Sequence, residues 1–326
     1  MKSIAAAFLV LAVLGACPLG AQSTLFYVEL QGVAAYSSAA DAVQLFSLTP
    51  EDSMQKPSLG FDLVHRVSGR TRDYGVLALQ LRVAYDQKGG HPFEIQVYNA
   101  SFLYKAGFAD IWAGHSRPAL GLDAVLDSHA LLMPAPAMMG FGFERDWGVG
   151  LQRDFSWGNA AASLTAGSGM PLYLRGNYLA AVRLSEGVLA RDNYSLGLSL
   201  AGGRILDTMG NELMAPEPLD FAAAAADATY LYRNFENRFE VMAGRKAGAG
   251  IVLLFWRAGM ALLDEGRLRI EAQPVLMRTG GGWGWQLAGG LSYQVTADIA
   301  ARSMVLHDSA RQDTRFVLQV YFYKGL

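Results

Sequence analysis

The sequence predicts an all-β fold: a transmembrane antiparallel β-barrel of about sixteen strands with an inward-folded third extracellular loop. Three observations predict it. Apolar and polar side chains alternate with a period of two in one segment after another, and the links between those segments sort by parity into short and long. The chain also opens on a secretory leader, and no later apolar run is long enough to cross a membrane as a helix. Bilayer hydrocarbon offers no water to unpaired backbone groups, so such a chain enters a membrane only as a closed sheet.

The leader comes first. Lys2 supplies its positive end, and residues 4–16 form an apolar stretch too short for a comfortable membrane helix. Leu19, Gly20 and Ala21 ahead of Gln22 make an ordinary signal-peptidase site, whereas residues 14–17 resemble a lipoprotein box ending at Cys17. Cleavage after Ala21 is the expected outcome, because barrels seldom need a lipid anchor. Residues 1–21 are therefore read as a signal peptide and 22–326 as the barrel. Cys17 is the only cysteine. If it leaves with the leader, disulfides, thiolate metal sites and cysteine catalysis drop out.

The alternating runs follow in order at 24–35, 59–68, 74–86, 93–104, 109–116, 145–155, 159–167 and 176–184. They continue at 191–202, 220–232, 238–245, 251–263, 267–277, 283–295, 297–306 and 314–324. Turn residues separate them, as at 69–73 and at Ser156, Trp157 and Gly158. Even-numbered runs are followed by short links at 69–73, 105–108, 156–158, 185–190, 233–237, 264–266 and 296. Odd-numbered runs are followed by links that include 36–58, 117–144 and 203–219. Short turns on one rim and longer loops on the other mark a barrel in a membrane, and a soluble sandwich has no reason to sort its loops this way.

Charge tests the faces. A Lys or Arg facing lipid at mid-bilayer costs roughly 2–4 kcal/mol, so basic residues should share the polar parity. In the closing run, Phe316, Leu318, Val320 and Phe322 oppose Arg315, Gln319, Tyr321 and Tyr323. Leu77, Leu79, Leu81, Val83 and Tyr85 oppose Gln80, Arg82 and Asp86. Leu268 and Ile270 oppose Arg267, Arg269, Glu271 and Gln273; Trp285, Leu287, Leu291 and Tyr293 oppose Gln286, Ser292 and Gln294. Three runs fit less simply. Run 93–104 changes phase near Tyr98, the sign of a bulge. Run 251–263 is apolar on both faces apart from Arg257, and the alanines at 222–226 would by propensity form a helix. Trp147, Trp157 and Trp283 fall near run ends, where rings favour a membrane–water boundary or serve as plain core.

Composition excludes several classes. Apolar residues make up 52% and charged residues 17%, which excludes disorder, and a net charge of −2 with no basic patch gives no reason to expect a nucleic-acid partner. A nucleophile elbow, a phosphate loop and a paired-histidine zinc helix are all absent. Asp127, Ser128 and His129 have triad residue types, but chain neighbours rarely meet as a triad. His115 and His129 with Asp110, Asp123 or Asp127 are a weak metal set. No cofactor and no metal are expected, and the chain is read as a non-enzyme.

The third long link, 117–144, carries the candidate site. Leu122, Val125, Leu126, His129 and Leu132 recur at helical spacing, so an amphipathic helix is expected, stopped by Pro134 and Pro136. An apolar loop is unfavourable in water, so it should fold inward and narrow the lumen; a surface cap or a contact between protomers is the plainer alternative. Asp123 and Asp127 are four apart and would share one helical face. With His129 they would present acids opposite wall arginines such as Arg82, Arg267 or Arg269, a transverse field that sorts solutes by charge.

The leader, the loop parity, the long third loop and the aromatic last run together resemble Gram-negative outer-membrane porins. The family's last strand usually ends in Phe; here Phe322 is followed by Tyr323, Lys324, Gly325 and Leu326. Residues 112–118 and 140–148 look like a signature of uncharacterised porin-like proteins. The resemblance implies passive passage of small hydrophilic solutes or ions across an outer-membrane lipid bilayer, with a homotrimer as the assembly. Two rivals differ in class. One is a structural or interaction barrel, an adhesin or a sheath for a periplasmic partner; the other is a lipid-modifying barrel enzyme that would use Ser128.

Overall fold

The computed structural model describes residues 24–51, 55–88, 91–127 and 132–326. The leader, Cys17, Ser128 and His129 lie outside the described residues. All sixteen expected runs are strands. In order they are β1 (Thr24–Ser37), the three-residue strip β2 (Ala42–Gln44), β3 (Ser58–Ser68), β4 (Asp73–Tyr85), β5 (Phe93–Lys105) and β6 (Asp110–Ser116). Next come β7 (Asp146–Phe155), β8 (Gly158–Thr165), β9 (Tyr178–Glu186), β10 (Tyr194–Met209), β11 (Glu212–Tyr232) and β12 (Phe235–Lys246). The last are β13 (Ala249–Leu262), β14 (Leu268–Thr279), β15 (Gly282–Gln294), β16 (Ile299–Asp308) and β17 (Asp313–Gly325).

Every neighbouring pair is antiparallel, and β1 closes the ring by pairing with β17 on one side and β3 on the other. Leaving out β2, which only caps the end of β1, the wall is a closed sixteen-strand barrel. Closure matters because it leaves no edge with unpaired backbone groups. The alternation read from sequence is the in–out alternation of this wall. Leu318 is 66% exposed on the outside while Gln319 beside it is 1% exposed on the inside. Leu198, Leu200, Val241, Leu254 and Leu287 continue the outer apolar surface around the ring. Trp157 and Trp283 are exposed at opposite rims, whereas Trp147 donates its Nε1 to Met170 O at 2.9 Å.

The irregular runs have physical causes. Gln80 pairs with Asn99 but Leu81 with Val97, so Tyr98 is an extra residue in β5 and the phase change is a bulge. The alanines of β11 are strand, not helix, because both neighbouring ladders pair them continuously. The link 203–219 is not a loop. Strands β10 and β11 run on through irregular pairing at Asp207 to a tight turn between Met209 and Glu212. The polar, Pro-containing sequence there hid the strand because it lacks the strict apolar–polar alternation of the rest of the wall.

The third loop also departs from its expected form. Leu122–Ala124 is one 3-10 turn, and Pro136–Met139 is another with Pro136 at its start instead of its stop. Among the described residues 122–127 the expected amphipathic helix is absent: only Leu122–Ala124 is helical, and Val125 on its expected apolar stripe is 51% exposed. Backbone donors Ala119, Gly121 and Leu122 are taken by wall side chains, and Leu120, Val125, Leu126, Ala137 and Met138 bond within the loop, so no continuous helix is needed to satisfy them.

Candidate functional site: a loop docked inside the barrel

The loop crosses the lumen along a row of wall groups. Ala119 N donates to Ser163 Oγ at 3.0 Å, Gly121 N to Ser199 Oγ at 3.0 Å and Leu122 N to Glu240 at 3.1 Å. Farther along, the Arg257 guanidinium donates to Met133 O and Pro134 O, each at 3.1 Å. Gln273 donates to Pro134 O at 2.9 Å and accepts from Arg257 Nε at 2.6 Å. Thus strands β8, β10, β12, β13 and β14 each hold part of it. Gly121 is required here: its φ is +57°, and a Cβ would lie 2.1 Å from Glu240 Oε1.

Packing explains why β13 is apolar on both faces. Leu120, Leu122, Leu126, Ala135 and Phe141 of the loop form one core with inward Ala223, Ala225, Met242, Leu253, Phe255 and Val275 of the wall. Small alanines on β11 leave room for the loop backbone. Leu132 and Met133 reach the opposite side and pack with Val33, Ala288, Met304 and Val317. The loop therefore partitions the lumen. A cavity of about 260 Å³ lies between it and the long-loop rim, and one of about 460 Å³ between it and the short-turn rim.

Polar groups line the rest. Glu29 is gripped by Arg82, receives Gln80 Nε2 at 3.1 Å and the Tyr321 hydroxyl at 3.0 Å. Arg183 and Asp227 form a buried pair at 2.6 Å, and Lys56 of the first long loop bridges Asp86 and Glu94 at 3.3 Å each. The bulged Tyr98 places its ring 4.1 Å from the Arg145 guanidinium and 5.8 Å from that of Arg82, and it donates its hydroxyl to Glu144 at 2.6 Å.

The expected site residues are scattered by this arrangement. Asp127 reaches the lumen: its side chain is 61% exposed, paired with Arg117 at 3.0 Å and 3.3 Å from the Tyr98 hydroxyl. Asp123 does not share its face. It is buried, accepts from Ala137 N at 2.9 Å, and its carboxyl is held above the usual range by burial, with Glu144 adding to the effect. Arg82 points inward on β4 but is neutralised by Glu29. Arg267 is exposed at the short-turn rim and donates to Gln294 O and Val295 O. Arg269 is tied to Glu236 at 2.8 Å and Glu271 at 3.1 Å, near the rim end of β14 and below Gln273, which meets the loop. The sequence reading missed Arg257, Glu240, Arg145 and Tyr98. Two carried a signal: Arg257 is the lone charge on an all-apolar strand, and Tyr98 sits at the phase change. Among the described residues no three His, Cys, Asp or Glu side chains converge as a metal set.

Among solved structures, the chain is similar to OmpF of Salmonella typhi, at 10% identity over 92% of this chain and 97% of that one, with a TM-score of 0.65. It is similar to an anion-selective porin from Comamonas acidovorans, at 13% identity over 94% and 100%, with a TM-score of 0.61. The chain has the porin fold. A trimer form of OmpT, an outer membrane protein of Vibrio cholerae, shares that fold at 12% identity over 94% and 100%, with a TM-score of 0.62. No protein-family model matches the chain, and no curated protein matches it. At such identities the porin fold is common ground, and the residues of the lumen are this chain's own.

Proposed function

We propose that this barrel sits in the outer membrane as a channel for passive diffusion of small hydrophilic solutes or ions. The observation that carries the reading is a sealed wall, apolar outside and charged inside, with its third loop docked across the lumen. Such an object has no use for an apolar belt except lipid, and no use for a polar interior except water and what dissolves in it. The passage is narrow. Glu29, Arg82, Gln96 and Gln319, all inward at mid-height, are at most 2% exposed. Field and not bond-making does the work: Asp127 faces the Arg145–Tyr98–Arg82 stack across the loop's edge. No chemistry on substrate is part of this reading. Three barrels per assembly is the proposed stoichiometry, following the trimer form of the Vibrio cholerae OmpT.

The mid-height burial also favours a second reading, an interaction barrel whose lumen is filled. Planar-bilayer recordings separate the two. Discrete conductance steps, with a reversal potential in a salt gradient that moves when Asp127 is replaced, support the channel. Purified, folded barrel that inserts yet passes no current supports the filled barrel.

A further inference from the structure

Five of the chain's 12 methionines converge on the cavity between the third loop and the long-loop rim. They come from four separate places. Met138 and Met139 belong to the 3-10 turn of the loop, Met170 to the link after β8, Met209 to the end of β10, and Met277 to the inner face of β14. Each is half-buried, with surface left toward the cavity, and Phe143 adds a ring. So many thioethers beside the hydroxyls and charges of the same lining are unusual for the mouth of a polar tube.

The charges that do reach the cavity are already engaged. Asp308 is 3.9 Å from Arg311, Asp313 is 3.5 Å from Arg315, Glu144 accepts from Tyr98, and Arg145 lies on the Tyr98 ring. Three acids and three arginines leave no net charge to select an ion. Thr49, Thr208, Thr279 and Gln286 also line the cavity, and beside them the methionines offer thioether surface, which is polarizable, unbranched and able to repack around differently shaped apolar bodies. A cavity of about 260 Å³ also has a definite capacity. A void of roughly 150 Å³ holds benzene, so this one accepts a single ring with a polar appendage.

We propose that the methionine-lined vestibule is a binding site for small uncharged solutes that carry one apolar, ring-sized body. The proposal rests on the channel reading and names the solute class that the channel favours. Phenyl β-D-glucoside and methyl β-D-glucoside are suitable probes, alike in charge and polar part and different in apolar body. Each is added to the long-loop side of a single reconstituted barrel, and block of the ion current gives an apparent Kd. The phenyl compound should bind at least tenfold more tightly. Combined replacement Met138→Ser, Met209→Ser and Met277→Ser should erase the difference, and leucine at the same three positions should keep it. Folding of each variant is checked by resistance of the barrel to unfolding in cold detergent.

Equal block by both glucosides, or a preference that survives the serine variant, overturns the proposal. Calorimetric titration of both glucosides into the detergent-solubilised barrel keeps the two readings apart. Binding of the phenyl compound by a barrel that conducts nothing defeats the channel and leaves the site; conduction without discrimination defeats the site alone. Should the serine variant fail to fold, the leucine variant and the wild-type comparison still decide, because loss of preference in either one refutes it.

Discussion

Replacing Arg257 with methionine should loosen the third loop without disturbing the wall. The guanidinium gives two hydrogen bonds to loop carbonyls, at 3.1 Å to Met133 O and 3.1 Å to Pro134 O. Pro134 O keeps its bond from Gln273 at 2.9 Å, so one carbonyl is left with no donor from the wall. A buried group stranded in this way costs about 1–3 kcal/mol, and each charge-assisted bond lost counts for about 1.5–3. Undocked, the same carbonyls are hydrated, so the loss falls on the docking equilibrium. Around 3 kcal/mol is the expected weakening, which at 1.4 kcal/mol per decade raises the open fraction on the order of 100-fold. The barrel itself should not lose as much, since removing a buried cation also removes its desolvation cost. Hydrogen exchange by mass spectrometry in micelles measures this directly: peptides within 119–141 should exchange about 100-fold faster, with wall peptides unchanged. Lysine at the same position, a point donor in place of a fork, should fall between. If the loop's exchange stays at the wild-type rate while β12–β14 exchanges faster, Arg257 supports the wall and the docking account is wrong.

Four further outcomes are expected. Leu318→Lys, on the lipid face, should destabilise the barrel by roughly 2–4 kcal/mol in urea titrations from bilayers, whereas Gln319→Lys, one residue away but inward, should not insert a charge into lipid and should cost less. Asp127→Asn should shift the reversal potential toward anion preference; an unchanged potential would remove Asp127 from the selectivity of the pore. Arg82→Ala removes the guanidinium that grips Glu29 and should cost about 3–5 kcal/mol, with Arg82→Ala/Glu29→Gln recovering most of the loss. The raised Asp123 carboxyl means the docked loop binds a proton more tightly than the free loop does. Docking is therefore strongest at low pH and weakens as pH rises from the ordinary carboxylate value of 3.8 toward the raised one. Exchange corrected for its intrinsic pH dependence should report that loss, and Asp123→Asn should flatten it.

The wall was legible because the outside and the inside of a closed barrel impose opposite demands on alternate residues, and that alternation recurs around the sixteen-strand ring. Even the bulge at Tyr98 could be read, since one extra residue inverts every later side chain in the strand. Legibility ended where the alternation stops. The β10–β11 extension carries no continuous apolar face, and its strands are set by pairing across the hairpin. The loop's inward course followed from its apolar residues, but its conformation did not. Three of its backbone donors are satisfied by Ser163, Ser199 and Glu240, and the Leu122–Glu240 bond spans 118 residues of sequence. Helical spacing is a local signal and gave way to those distant partners, which is why Asp123 and Asp127 face different surroundings. Arg267 and Arg269 share the correct parity, but parity gives the face of a strand and not the height along it.

A strand that is apolar on both faces inside a barrel has a specific meaning here. One side of β13 lies on the outside of the barrel, and its other side, Ile251, Leu253 and Phe255, is covered by the loop. Burial of a large apolar side chain contributes about 1.5–3 kcal/mol, and Leu122, Leu126 and Phe141 are each at most 1% exposed. The loop is thus held by core and not only by its hydrogen bonds, and this limits how the passage can be regulated. Within 117–144 the charges are Arg117 against Asp123, Asp127 and Glu144, a net of +1 − 3 = −2 if all are ionised. A membrane potential acts with roughly 2.3 kcal/mol per charge per 100 mV, and only for the fraction of the field a charge traverses. Swinging a loop of that charge through part of the field supplies less than its apolar docking alone. Voltage of physiological size can tilt the charges that line the passage, Asp127 foremost, but it cannot lift the partition.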